Sequence, residues 1–505
     1  MKKRMVILLS ILMLTTTCIS PVFADEVLEF EQTDEYVSDD ADYDDDFDYE
    51  IEDYYESSDE DTSIDLGGNS SETDDYSSEY NDSSNYDNSI DFAGEPSSET
   101  EQPSQETVEQ AEQPEQTESA EQTPNPPEQS GASQPEKSEP PQPKSPDEMN
   151  FDEKFIDYIT KNYRTENFVI SPVSLETALC SVAYSADGKT SREIMDFLGF
   201  EDEEEMLSWH KKMMSVLKTF KKKVNQDKEK KGYIARSLRI LNSIWNNTSV
   251  SGNLKKKYIE DISKTLKVHV DEQDTDHITE NINKWYKKKT DGKLEKIATD
   301  FSQSDRTFIS SSYISSAWKK MFEQGESITE LFVAADGTPS QQVFMQKIVE
   351  IPYYSNQNGN MIVLPLRGDL YVAMSIGDIN PIEHLDEAKK SKTYIKIPKF
   401  ETVTTLNPKI IADFLRPYGV ETVYSNDADF SKMSVTDFQF YNLLQKNKIT
   451  LDENGINADE QSKKKSEEVI PSGKEKFVAN EPFHFYIYYK PAEQPILIYY
   501  GQHVK

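Results

Sequence analysis

Residues 448–483 read KITLDENGINADEQSKKKSEEVIPSGKEKFVANEPF. Lys448 to Asp452 alternates apolar and polar side chains, the period of a half-buried strand. From Glu453 roughly two dozen polar and charged residues follow with no hydrophobic period. An apolar strand then begins at once with Phe483-His-Phe-Tyr-Ile-Tyr-Tyr489. A structureless stretch this long inside a compact domain is uncommon, and marks either function or misassigned elements. Its entry, Glu453-Asn-Gly455, is a turn-prone hinge. Its exit is the cluster Phe477-Val-Ala-Asn-Glu-Pro-Phe483. The spacing therefore predicts an exposed loop over about 453–476, suspended between two strands.

Outward from this loop, composition divides the chain of 505 residues into unequal parts. Met1–Ala24 carries Lys2, Lys3 and Arg4, then an apolar run, and closes on Val22-Phe-Ala24; it reads as a secretory signal peptide. Cys18 follows Thr17 rather than a Gly or Ala, so a lipid anchor at this cysteine is not expected. Residues 25–146 hold 40 Asp and Glu against two Lys, a net of −38 within a total of −39. The first half is Asp/Tyr/Ser-rich and the second a Glu-Gln-Pro-Ser-Thr tract. Such a segment cannot bury enough apolar area to offset its ordering entropy, and is read as a disordered, self-repelling spacer. Residues 147–505 carry 53 acidic and 49 basic residues and form the expected folded domain. Without the leader only Cys180 remains, in the apolar run Ala178-Leu-Cys-Ser-Val-Ala183, where a buried inert thiol is expected. No internal disulfide can form, so a hydrophobic core must hold about 360 residues together.

Within that domain Phe151–Asn162 reads as an opening helix, with Phe155, Ile156 and Ile159 at helical spacing. Asn167 to Leu179 reads as a short strand, a Ser-Pro turn and a helix capped by Ser174. Lys211–Lys231 holds nine lysines and reads as a solvated face. Leu238–Trp245 alternates like one buried strand, and strands dominate beyond Met345. Enzyme motifs are missing: the six histidines make no H-E-x-x-H, and there is no G-x-S-x-G or C-x-x-C. Gly188-Lys-Thr190 is no phosphate loop, because position 183 is Ala183 rather than glycine. No enzyme activity, metal or cofactor is expected.

Several blocks in order resemble one family, the serpins, or serine protease inhibitors. Asn167-Phe-Val-Ile-Ser-Pro-Val-Ser174 through Leu179 is similar to the family's N-x-F-I-S-P-x-S-x-x-x-A-L. Gly188 to Gly199 resembles G-x-T-x-x-x-I-x-x-x-L-G-F, Ile282-Asn-Lys-Trp285 with Thr290-Asp-Gly-Lys293 resembles I-N-x-W and T-x-G-K, and Pro398-Lys-Phe400 resembles P-K-F. Phe308–Ile314 leading to Trp318 stands where the family has a central strand. The exit cluster resembles F-x-A-N/D-x-P-F, and the blocks span roughly 150–505.

The resemblance implies an α+β fold, with helices mostly in the N-terminal half and mixed and antiparallel sheets. It also implies that the loop is protease bait: once cut, the part before the cut inserts as a new central strand and distorts the acylated protease. Targets would be extracellular serine, or by extension cysteine, endopeptidases. Counting from the hinge places the scissile bond at Val469–Ile470, and an alternative alignment places it at Ser472–Gly473. Val469 or Ile470 suits an elastase- or subtilisin-like pocket, whereas Lys463–Lys465 and Lys474 offer trypsin-like cuts. The hinge and insertion residues are Glu453, Gly455, Ile456, Ala458, Glu460 and Ser462. On insertion Ile456, Ala458, Glu460, Ser462 and Lys464 would face the core; Glu460 and Lys464 depart from the small residues of inhibitory members. Ser171, Ser174, Ser310 and Gln445 match the family's shutter positions, the last two replacing an expected asparagine and histidine. Glu453 and Lys399 match an ion pair at the top of the sheet, near Trp318. A monomer with neither nucleic-acid partner nor stable membrane insertion is expected. The competing expectation is a binding module on the same fold, whose loop is cut but does not insert.

Overall fold

Asn150 opens the folded domain with a reciprocal cap: its Oδ1 accepts the Glu153 N–H at 2.9 Å, and the Glu153 carboxylate accepts the Asn150 N–H at 2.9 Å. The computed structural model describes residues 90–91, 144–145, 148–297, 300–320, 322, 327–435, 442–459 and 475–505. Ile90–Asp91 form a two-residue strand, β1. The capped helix α1 covers Phe151–Asn162, the bounds expected from its spacing, and buries Phe151, Phe155 and Ile159. Strand β2 (Phe168–Ile170) leads to α2 (Pro172–Ser185). Ser174 does not cap this helix. Pro172 has the fixed φ and missing N–H that suit the first helical position, so Ser171 takes the cap position and Ser174 lies one turn inside. Helices α3 (Gly188–Leu198) and α4 (Glu203–Lys228) follow, and Lys211, Lys212 and Lys222 on α4 are exposed. Glu203–Glu205 in the first turn of α4 and Lys228 in the last complement the helix dipole. Cys180 is buried in α2, and burial pushes its thiol well above the ordinary range.

The run Leu238–Trp245 is not one strand but belongs to two, β3 (Ser237–Ile240) and β4 (Ser243–Asn247). Between them Asn242 turns its amide to the Ser174 carbonyl (3.1 Å) and to Thr177 Oγ1 (2.9 Å), which interrupts the ladder. Helix α5 (Lys256–Leu266), β5 (His269–Gln273) and α6 (Ile278–Lys289) come next. The central strand line is likewise in two pieces, β6 (Arg306–Ser310) and β7 (Ser312–Ala317), separated by Ser311. Strands then dominate: β8 (Ile328–Val333), β9 (Pro339–Asn356), β10 (Gly359–Pro365), β11 (Leu370–Gly377), β12 (Lys389–Pro398) and β13 (Phe400–Leu406). After α7 (Pro408–Leu415) come β14 (Leu443–Asp452), β15 (Gly455–Ile456), β16 (Glu475–Val478), β17 (Phe483–Tyr489) and β18 (Ile496–His503).

Two sheets result. In the first, β14 lies between β13 on one side and the β6/β7 line on the other; β6 pairs with β4 and β7 with β3, and β4 carries β5. Strand β1 runs parallel to β13, with Ile90 opposite Thr404. The second sheet runs β16-β12-β9-β10-β11-β17-β18-β2, and β8 pairs with β9. One apolar core joins the sheets, with Ile449, Leu451 and Ile456 of the first packed among Phe400, Phe483, Phe485 and Ile487. A second gathers α1, α2, α3 and α7 around Phe155, Leu179 and Phe414. This is the α+β architecture expected from the sequence, with its labelled helices in the N-terminal part except for α7.

Candidate functional site: the hinge and the seam of the first sheet

At Asp452 the chain reverses. Asp452 Oδ1 accepts the Asn454 N–H at 2.7 Å and the Gly455 N–H at 3.3 Å, so a carboxylate folds the hinge into a tight turn. The returning strand β15 pairs antiparallel with β14, Leu451 opposite Ile456 and Asp452 opposite Gly455. Its other edge pairs with β7, Gly455 opposite Ala317 and Ile456 opposite Ser316. The loop thus enters the sheet by two residues. Only glycine fits at 455: its φ is +144°, and a Cβ there would stand 2.1 Å from the Ser316 carbonyl oxygen. Ile456 is fully buried in the inter-sheet core.

Trp318 anchors the turn, its Nε1 donating to the Asp452 carbonyl at 2.8 Å and its backbone N–H to the Asn454 carbonyl at 3.1 Å. Glu453 is 4 % exposed and ion-pairs with Lys399 at 3.2 Å, while Ser327 Oγ donates to the same carboxylate oxygen. Burial alone would raise the Glu453 carboxyl; the Ser327 hydroxyl, the residue's own backbone and Lys399 outweigh it and hold the group below its ordinary value.

Below β15 the two strand lines form a wedge-shaped seam. At its narrow end β14 pairs directly with β6, from Leu443 opposite Phe308 to Gln445 opposite Ser310. Here Gln445 is tied to the start of α2: Oε1 accepts the Ser171 N–H at 3.0 Å, and Nε2 donates to the Ser171 carbonyl at 2.9 Å and to Ser310 Oγ at 3.2 Å. Ser310 Oγ lies 2.9 Å from Ser174 Oγ, which donates to the Ser311 carbonyl at 2.7 Å. The four residues matched above to shutter positions therefore lie in one buried cluster. Higher up, side chains replace ladder bonds. Ser311 Oγ donates to the Lys446 carbonyl at 2.6 Å, and Asn447 Oδ1 accepts the Ser312 N–H at 3.1 Å. Asn447 Nδ2 is buried without a partner.

Glu453, Gly455, Ile456, Trp318 and Lys399 thus converge on the hinge, and Ala458 lies half-buried just beyond it. Glu460, Ser462, Val469, Ile470 and Ser472 lie outside the described residues. Sequence reasoning missed Ser327, Asn447 and Asn457. The last could have been suspected, since asparagine after Gly-Ile tolerates the left-handed conformation that ends a strand.

Against known proteins, the family model for serpin (serine protease inhibitor) matches residues 148–504. The antitrypsin of Bombyx mori is 22% identical over 364 residues, covering 66% of this chain and 88% of its own length. Among solved structures, the thermophilic serpin tengpin in its native state is 24% identical with a TM-score of 0.56, over 71% of this chain and 95% of that one. Human thyroxine-binding globulin complexed with thyroxine is 16% identical with a TM-score of 0.59, over 70% of this chain and 96% of that one. With the family model spanning well over half its length, the chain belongs to the serpin family.

Proposed function

We propose that this serpin is a secreted inhibitor of serine endopeptidases, with residues 1–24 as leader, 25–146 as acidic spacer and 453–476 as the bait loop. The observation that carries the reading is β15: the hinge already forms a two-residue strand between β14 and β7, the site any inserting loop must enter. A protease acylated at Val469–Ile470 or Ser472–Gly473 would be dragged with the inserting strand. Inhibition is then a race between insertion and deacylation, run from a native state kinetically trapped above a more stable one. An elastase- or subtilisin-like target fits Val469 and Ile470.

The test is incubation of the full chain with elastase, subtilisin and trypsin, followed by a denaturing gel. A band at the summed mass that survives boiling supports inhibition, and the released C-terminal peptide locates the bond. Clean cleavage with full recovery of protease activity removes it. The second reading, a binding module whose loop is only a substrate, is favoured by one feature: Glu460 and Lys464 fall on the side of the insertion segment that would face the core.

A further inference from the structure

Asn457 ends β15 in an unusual way. Its φ is +45°, the left-handed region that few non-glycine residues adopt, and the residue is buried. Its backbone N–H still donates to the Thr450 carbonyl at 2.9 Å, continuing the ladder from Ile456 by one residue. In an antiparallel hydrogen-bonded pair the Thr450 N–H would return to the Asn457 carbonyl. Here it donates instead to Asn457 Oδ1 at 2.9 Å. The displaced Asn457 carbonyl accepts from Ser315 Oγ at 3.1 Å.

The opposite edge shows the same exchange. With Ile456 opposite Ser316, a continued strand would set Ala458 opposite Ile314 and bring the Ala458 N–H to the Ile314 carbonyl. In the structure Asn457 Nδ2 donates to that carbonyl at 2.8 Å. A carboxamide has one acceptor oxygen and an N–H donor on the same carbon, the functional content of a peptide unit. The side chain of Asn457 therefore occupies the role of the 457–458 peptide group, bonded to β14 by its oxygen and to β7 by its nitrogen.

We infer that Asn457 is a latch on the seam: its carboxamide stands in for the next peptide of the strand, stops insertion after Ile456, and must be displaced before the loop can advance. The inference rests on reading 453–476 as an inserting loop. Displacement exchanges like for like, because the incoming 457–458 peptide would meet the same two partners, Thr450 N–H and Ile314 C=O. The latch thus delays insertion without opposing its outcome. It requires release of the carboxamide from Thr450, Ile314 and the Lys448 carbonyl (3.5 Å), loss of the Ser315 bond, and rotation of Asn457 out of the left-handed region in one step.

Two variants separate the side chain from the backbone. Asn457→Gly keeps the left-handed conformation available and removes the carboxamide. Asn457→Asp keeps an acceptor for the Thr450 N–H but sets a second oxygen, with no proton to donate, against the Ile314 carbonyl. The full chain and both variants are cleaved in the loop with elastase, and the growth of a more heat-stable species is followed in time. The latch predicts that both variants convert faster than the parent by about tenfold or more, the consequence of removing ground-state hydrogen bonds that the barrier state lacks. If the parent converts and both variants match it or lag, the latch is overturned while the inserting loop stands. If the parent never converts but the variants do, the latch is upheld and the inhibitory reading of the parent chain is overturned. If no protein converts, both ideas fall.

Discussion

Gln445 on β14 bonds the backbone of Ser171 twice, accepting its N–H at 3.0 Å and donating to its carbonyl at 2.9 Å, as one strand residue pairs with another. A side chain thereby splices the first sheet to the start of α2 without a strand between them. Gln445→Ala would leave the Ser171 N–H buried and unpaired, while its carbonyl keeps the Leu175 N–H at 3.1 Å, a loss of about 1–3 kcal/mol. Denaturant unfolding measures it; a change below about 0.5 kcal/mol would mean that the cluster re-pairs internally.

Gly455→Ala would drive a Cβ to within 2.1 Å of the Ser316 carbonyl oxygen. The relief open to the chain is expulsion of β15, which exposes Ile456 and costs about 1.5–3 kcal/mol from its burial alone. A lower melting temperature, together with new proteolytic cuts at Ile456, is expected. An unchanged melting temperature contradicts the tight fit.

Acid should remove two stabilising contributions. Burial lowers His210, His269 and His503 to about 4 from an ordinary value of 6.5, so the native state keeps them neutral while the unfolded chain protonates. Their contribution is present above pH 6.5 and is lost as pH falls toward 4, at up to roughly 1.4 kcal/mol per pH unit for each. Glu453 acts lower down. Its depressed value means that its stabilisation is present above about 4.5 and is lost as pH falls through the folded value. Followed at pH 7, 5.5 and 4, the melting temperature of the parent should fall progressively relative to that of His503→Gln. His503 is the informative choice because Phe332, Phe400 and Phe483 surround it with ring centroids at 4.9, 5.0 and 5.3 Å.

Glu460→Ala should raise the yield of covalent complex. An extended strand continuing from Ile456 through Ala458 would turn Glu460 toward the core. Burial of that carboxylate without a partner costs on the order of several kcal/mol, or forces its protonation. Densitometry of complex against cleaved inhibitor, over a range of protease ratios, gives the partition directly. A yield no higher than the parent's would refute the buried-glutamate account.

Much of the fold was legible because its signals are periodic and local. Helix α1 covers the residues that the spacing of Phe155, Ile156 and Ile159 marks out, and the terminal strands follow their apolar runs. The hinge pair Glu453–Lys399 and the cluster of Ser171, Ser174, Ser310 and Gln445 were legible through motif resemblance. What escaped depends on partners distant in sequence. Ser174 looked like a cap, but its hydroxyl is committed to Ser310 and Ser311, more than 130 positions away. The break between β3 and β4 is made by Asn242 reaching α2, which no strand period reveals. Asn457 reads as one more polar loop residue until Thr450 and Ile314 stand on either side of it.

Trp318 holds the hinge through its indole N–H, bonded to the Asp452 carbonyl in a site 1 % exposed. Any advance of the loop alters the surroundings of that ring. The protein therefore carries its own optical probe at the point where movement would begin, and emission from Trp318 in a background with Trp209, Trp245 and Trp285 replaced by phenylalanine would time the first step of opening without any added label.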